Sequence, residues 1–216
     1  MTAFGQCITS MEQLRSHYRE PSALVRNKKH AIIDERSKAF LAHASFCLLA
    51  TTDAEGRVDV SPRGGPPGFV RTLGDQHVVI PDLSGNNLLD SLGNIVSQPS
   101  VGLLVLIPGV DETLRINGRA TLSIDTSILS LWQGDLRTPK VAIGIAIDEI
   151  FVHCAKAFRR GSVWEHDSWI DPIASGVPDV CETYVESFGG GVTALELRAA
   201  MEQNYTEELA AERAES

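Results

Sequence analysis

Apolar residues fall in short runs, or alternate with polar ones, through the middle of the chain; at both ends they recur at helical spacing. Phe46-Cys-Leu-Leu-Ala-Thr-Thr52 is a short apolar run, Asp53-Ala-Glu-Gly56 has turn chemistry, and Val58-Asp-Val60 alternates. Together they predict a β-hairpin. Further strands are expected over 76–80, 101–107, 113–123, 140–147 and 150–153. Gly64-Gly-Pro-Pro-Gly68 is too rich in glycine and proline for a regular element and reads as a loop.

Helices frame this β-rich stretch. Ser10-Met-Glu-Gln13 has the form of a capping box, with the Ser10 hydroxyl facing the Gln13 amide and the Gln13 side chain returning to the Ser10 amide. That predicts a short helix to about Tyr18, stopped by Pro21. Asp34 is placed to cap a second helix with Ile33, Phe40, Leu41 and Ala44 on its apolar face and Arg36 and Lys38 in water. Two more helices are expected inside the β region, over 87–96 and from Asp125 to about Trp132. A second capping box, Thr193-Ala-Leu-Glu196, opens a terminal helix striped by Leu197, Met201, Tyr205 and Leu209. The acidic polar face of that helix favours docking on its own barrel or on a partner subunit over membrane contact.

Strands joined mostly by short turns, with no strand-helix-strand rhythm, point to an antiparallel barrel and away from a doubly wound parallel sheet. The expected organisation is a helical segment over 1–44, a barrel over 45–164, and a polar, Gly-rich segment with a helix over 165–216, all one domain. The 216 residues suffice for a core without staples, and 43% apolar with 22% charged residues is a globular composition. A net charge of −9 argues against nucleic acid. The longest apolar stretch, Val101 to Val110, is interrupted by Pro108 and is too short for a membrane span, and no charged-then-apolar leader opens the chain. Four dispersed cysteines with no C-x-x-C pair read as reduced thiols, with Cys47 and Cys154 as small residues in strands, which suits a cytoplasmic protein.

A search for side-chain catalysis yields no G-x-S-x-G, H-E-x-x-H, P-loop or G-x-G-x-x-G motif. None of the six histidines is paired with another histidine or a cysteine at metal-binding spacing. Two loops carry anion chemistry instead. Val58-Asp-Val-Ser-Pro-Arg-Gly-Gly65 ends a strand on an arginine suited to bidentate contact with a phosphate, followed by glycines that admit close approach. In the second, which runs on from the strand at Ile80, Ser84, Asn86 and Asn87 precede a helix whose first amides favour an anion. The plainer alternatives are an arginine at a strand end and an asparagine that only caps its helix. Arg26-Asn-Lys-Lys-His30 reads as a solvated basic connector, with a clamp on a neighbour's phosphate as the sharper alternative.

Taken in order, Ser61-Pro-Arg-Gly64, Pro67-Gly-Phe-Val70, Ile80-Pro-Asp82, Gly85-Asn-Asn87, Leu89-Asp-Ser-Leu92, Asn94-Ile95, Pro108-Gly-Val110, Glu112 to Ala120 and His153-Cys-Ala-Lys-Ala157, with Trp164 after them, resemble the pyridoxamine 5'-phosphate oxidase-related, FMN-binding split-barrel family. The resemblance runs over roughly residues 8 to 170. It implies a homodimer of six-stranded split barrels with FMN at the subunit interface, and chemistry carried by the flavin without a catalytic side chain. By position, Val60, Ser61, Pro62, Arg63 and Gly64 would lie along the flavin, with Arg63 on its phosphate or its ring. Ile80 and Pro81 would back the ring, and Ser84, Asn86, Asn87 and Leu88 would hold the phosphate end. Arg115, Lys156 and Trp164 are further cofactor candidates, with the dimer interface or the substrate side as their alternative places. The activity implied is an oxidoreductase passing electrons between a reduced nicotinamide, NAD(P)H, and a small molecule; a non-catalytic barrel holding flavin, haem or another anionic cofactor is the alternative. Leu88 and Gly93 stand where the family usually has arginine. The family's C-terminal Arg-and-His signature for the vitamin substrate has no counterpart after Trp164, which argues against oxidation of the vitamin itself.

Overall fold

The computed structural model describes residues 3–213 apart from 86, 173, 189 and 190. Seven strands form one antiparallel sheet: β1 (Phe46–Thr52), β2 (Val58–Gly64), β3 (Arg71–Leu73), β4 (His77–Pro81), β5 (Ser100–Leu106), β6 (Thr113–Ser123) and β7 (Ala142–His153). Their order is β2-β1-β5-β6-β7-β4-β3, so β2 and β3 are the edges and the barrel stays open between them. The count is one above the six that the resemblance implies and equals the seven stretches that the pattern suggests, though not the same seven. The addition is β3, three residues paired to β4 through Leu73↔His77 and too short to show alternation.

The predicted hairpin is present, with Phe46↔Gly64 and Thr52↔Val58 at its two ends. Pro62 fits because β2 is an edge strand and its missing N–H deprives no ladder partner. The two strands expected over 140–147 and 150–153 are one. A bulge makes this possible: Asn117 pairs with Glu149 and Gly118 with Ile147, so Asp148 is the extra residue and the strand runs on through what looks like a turn. Gly118 is required there, since a Cβ would stand 2.1 Å from the Ala146 carbonyl oxygen.

Inward-facing residues of β1, β4, β5, β6 and β7 build the main core, among them Leu49, Ile80, Leu103, Ile116 and Ile145. β4 is buried on both faces, because Val79 on its other side packs with Trp132 and Leu136. That explains the unbroken Val78-Val79-Ile80 run. Trp132 is fully buried and donates its indole N–H to the Phe69 carbonyl at 2.7 Å.

Eight helices flank the sheet among the described residues. α1 (Met11–Ser16) is capped by Ser10 as expected, but the Gln13 side chain returns to the Thr9 amide at 2.9 Å and not to that of Ser10. A one-turn α2 (Ala23–Arg26) follows. α3 (Glu35–His43) is capped by Asp34 through the Ser37 amide at 2.8 Å, and Ile33, Leu41 and Ala44 enter the core. Lys38 is not free in water; it pairs with Glu35 and Asp75.

α4 (Asp90–Ser97) begins later than the expected 87, because Asn87 and Leu89 take left-handed conformations with φ of 57° and 63°. Leu89 occupies the cap position without a side-chain bond, and Asn86 lies outside the described residues. α5 (Thr126–Leu129), capped by Asp125, runs into a 3-10 turn ending at Trp132. α6 (Lys156–Arg160) follows β7. Cys154 falls just beyond β7 and is exposed, whereas Cys47 is buried in β1 as expected.

The C-terminal segment forms α7 (Val180–Phe188), which the sequence pattern did not predict, and α8 (Ala194–Glu212), whose capping box at Thr193 is complete. α8 packs on α7, where Cys181 Sγ meets Met201 Sδ at 3.9 Å and Arg198 pairs with Asp179. Its far end reaches the barrel. The Arg137 amide donates to the Glu212 carbonyl at 2.8 Å, and Leu136 forms a bridge with Arg213. No helix is long and apolar enough to cross a membrane among the described residues.

Candidate functional site

Polar and apolar positions are exchanged on β2. Its register sets Asp59, Ser61 and Arg63 opposite Thr51, Leu49 and Cys47, all buried on the core side of β1. Residues directly opposite in an antiparallel pair share a face. The polar three therefore face inward, while Val58 and Val60 face outward at 70% and 57% exposure. At an edge strand the core runs out, so the inward polar row meets a cleft instead of apolar packing.

That cleft has a volume of about 1310 Å³ and lies between the ends of β2 and β4, the 82–89 loop and the C-terminal half of α8. It is ample for a ligand of cofactor size. Arg63 is held in it from its own strand: Nη1 donates to Ser61 Oγ at 2.7 Å and to the Pro62 carbonyl at 2.8 Å. The remaining guanidinium nitrogens make no hydrogen bond to the described residues. Gly65 continues the floor and has no room for a side chain, since a Cβ would lie 2.7 Å from Phe69 Cβ. Burial raises the Asp82 carboxyl above its ordinary range, and the nearby Arg63 and Lys140 charges pull it partly back. α4 closes the inner side: Ser91 Oγ donates to Asp59 Oδ2 at 3.2 Å, and Asn94 Nδ2 donates to Thr51 Oγ1 at 3.0 Å.

The donor at the other side of the cleft is the Ser84 amide, which donates to Glu212 Oε1 at 2.7 Å. A carboxylate oxygen thus stands at a backbone N–H of the loop expected to hold a phosphate. This stand-in anion and the inward guanidinium fit an anionic group of modest size. The surrounding charge opposes a second one: Asp59, Asp82, Asp90, Asp135, Glu202, Glu208 and Glu212 line the cleft against Arg63 and Arg213.

Of the residues expected from sequence, the structure brings Ser61, Pro62, Arg63, Gly64, Pro81, Ser84, Asn87 and Leu88 to this cleft. Val60 is turned away from it, and Ile80 is fully buried in the core. Asn86 lies outside the described residues. Three others stand elsewhere. Arg115 lies over the Phe151 ring at 5.2 Å, Lys156 opens α6 on the surface, and Trp164 stacks on Phe158 and donates to the Val110 carbonyl at 3.0 Å. Sequence reasoning missed Asp59, Asp82 and Glu212; the inverted alternation of Val58-Asp-Val-Ser-Pro-Arg63 is the available signal for the first.

A separate basic group surrounds Phe151, with Lys28 and Lys29 Nζ at 4.6 and 5.2 Å from its centroid. Beside it, His153 Nδ1 is buried without a hydrogen-bond partner, and burial together with Lys28 and Arg115 lowers the His153 pKa. Cys47, opposite Arg63, has its thiol pushed up to about 12 by burial, with the Arg63 charge pulling it partly back, which disfavours the thiolate. No group of metal-ligating side chains occurs among the described residues.

The family model described as pyridoxamine 5'-phosphate oxidase matches residues 33–154. Among solved structures, the chain is similar to HupZ of Group A Streptococcus at 18% identity, covering 56% of this chain and 93% of that one, with a TM-score of 0.46. A pyridoxamine 5'-phosphate oxidase candidate from Lactobacillus delbrueckii is 21% identical over 57% of this chain and 98% of that one, with a TM-score of 0.43. HutZ, the haem storage protein of Vibrio cholerae, is 16% identical over 56% of this chain and 94% of that one, with a TM-score of 0.39. No curated protein matches the chain.

Proposed function

Because the chain belongs to the pyridoxamine 5'-phosphate oxidase family, with α3 to the end of β7 inside the matched region, we propose that it is an FMN-dependent oxidoreductase of the split-barrel type. The observation that carries this reading is that Arg63, Ser61 and the Ser84 amide line one cleft of cofactor size. FMN bound there would supply hydride chemistry, taking electrons from a reduced nicotinamide and passing them to a small molecule. The chain's own residues bind and orient. Arg63 offers charged donors to the phosphate or the ring, Gly64 and Gly65 leave the floor open to close approach, and Pro81 forms an apolar wall.

A second reading is a non-catalytic barrel that holds flavin, haem or another anionic cofactor. Two observations favour it: the Ser84 amide is already occupied by Glu212, and an exposed apolar side chain, Leu88, stands on the loop that meets the anion. Anaerobic addition of FMN and then NAD(P)H separates the two. An enzyme gives a bound-flavin spectrum that NAD(P)H bleaches within minutes; bound flavin that stays oxidised supports the binding protein, and no bound spectrum contradicts the flavin assignment.

A further inference from the structure

We propose that α8 is an intramolecular occupant of the anion site: Glu212 sits where an anionic group of the ligand binds, and ligand entry displaces the C-terminal end of the helix. The proposal rests on reading the Arg63 and Ser84 donors as an anion site.

Three observations carry it. First, Glu212 is fixed by both of its parts across the cleft. Its side chain accepts from the Ser84 amide at 2.7 Å, while its carbonyl accepts from the Arg137 amide at 2.8 Å. Second, its position is unfavourable for the helix alone. The C-terminal end of a helix carries partial negative charge and is stabilised by bases, yet the last turn of α8 has none and ends on this carboxylate, the one base at this end being the cap residue Arg213. A residue that works against its own helix is explained by what it meets, here a backbone donor. Third, the end of α8 is held against like charge and with little burial. Glu202, Glu208 and Glu212 face Asp59, Asp82 and Asp90 across the cleft, no residue of α8 is buried, and Leu209 is 60% exposed. The other half of the helix is anchored on α7 through Arg198–Asp179 and the Cys181–Met201 contact, so release at Glu212 leaves α8 attached.

An incoming phosphate carries more charge than one carboxylate, and a ligand of cofactor size that fills the cleft also meets Arg63, with which Glu212 has no hydrogen bond or ion pair. Displacement of the helix end then removes Glu208 and Glu212, two of the seven carboxylates that line the cleft. The charge unfavourable to a dianion is therefore in part a property of the closed arrangement.

The test uses the full chain, with FMN and inorganic phosphate as separate probes. Glu212→Gln keeps an acceptor but no charge, and Glu212→Ala keeps neither; Glu208→Gln removes a cleft charge that does not touch Ser84. FMN should bind roughly tenfold tighter to both Glu212 variants, with a much smaller gain for Glu208→Gln. In hydrogen exchange, FMN should protect 82–92 and deprotect 205–212. Equal affinity in wild type and both Glu212 variants, or FMN binding with unchanged exchange over 205–212, overturns the proposal. If FMN binds none of the proteins, the flavin reading fails, and phosphate decides the matter separately. Deprotection of 205–212 by phosphate, reproduced without ligand by Glu212→Ala, supports the displaced helix; exchange that neither change alters overturns it.

Discussion

The family barrel and the C-terminal arm are held by different means. In the barrel, both faces of β4 are buried, Trp132 of the 3-10 turn is sealed against Val79, Leu136 and Ala142, and the polar row that faces inward lies on the edge strand β2. In the arm formed by α7 and α8, Cys181 is the one buried hydrophobic residue of the described part, and the hydrogen bonds that tie α8 to the barrel run through Glu212, Arg213 and their partners. Apolar burial of the first kind resists local opening, and a few exposed polar bonds do not. The cleft lies where these two regimes meet: a rigid floor of β2 and β4 ends under a lightly held helix.

The largest effect expected from this contrast is on the barrel side. Trp132→Ala removes a fully buried indole and leaves the Phe69 carbonyl without its donor, which should lower the stability of the chain by about 3–5 kcal/mol in urea unfolding. A loss under about 1 kcal/mol would mean the second core cluster contributes little. A smaller and local effect is expected on the arm. Thr193→Ala deletes the capping box in which Thr193 Oγ1 accepts from the Glu196 amide and the Glu196 carboxylate accepts from the Thr193 amide. This should weaken α8 by about 0.5–2 kcal/mol, seen as faster hydrogen exchange over 194–205, with the urea midpoint of the barrel unchanged. A matching shift of the whole unfolding transition would show that arm and barrel unfold as one unit.

Sequence legibility follows the same division. The β1–β2 hairpin, β6, and the caps at Asp34 and Thr193 are readable because each depends on neighbours a few residues apart. β7 reads as two strands because Asp148-Glu149 resembles a turn; only pairing with Asn117 and Gly118 on β6 makes Asp148 a bulge. The start of α4 is hidden because left-handed backbone at Asn87 and Leu89 is set by the loop and not by a local capping signal. In the candidate site, Ser61 and Arg63 announce themselves as a polar row on a strand followed by glycines. Arg115, Lys156 and Trp164 are conspicuous in motifs, yet the fold of one chain sends them away from the cleft. The Ser84–Glu212 contact spans 128 positions, and no local pattern encodes it; a terminal helix whose last turn carries acids and no base is its one trace in the sequence.

Titration of wild type and Arg63→Ala with FMN, followed by quenching of flavin fluorescence, tests the assignment of the cleft most directly. The guanidinium faces inward on β2 and contributes charged donors, so its removal should weaken FMN binding by at least about tenfold while the fold is retained. Wild type that binds FMN with the same affinity as Arg63→Ala, or that does not bind it at all, would contradict the assignment.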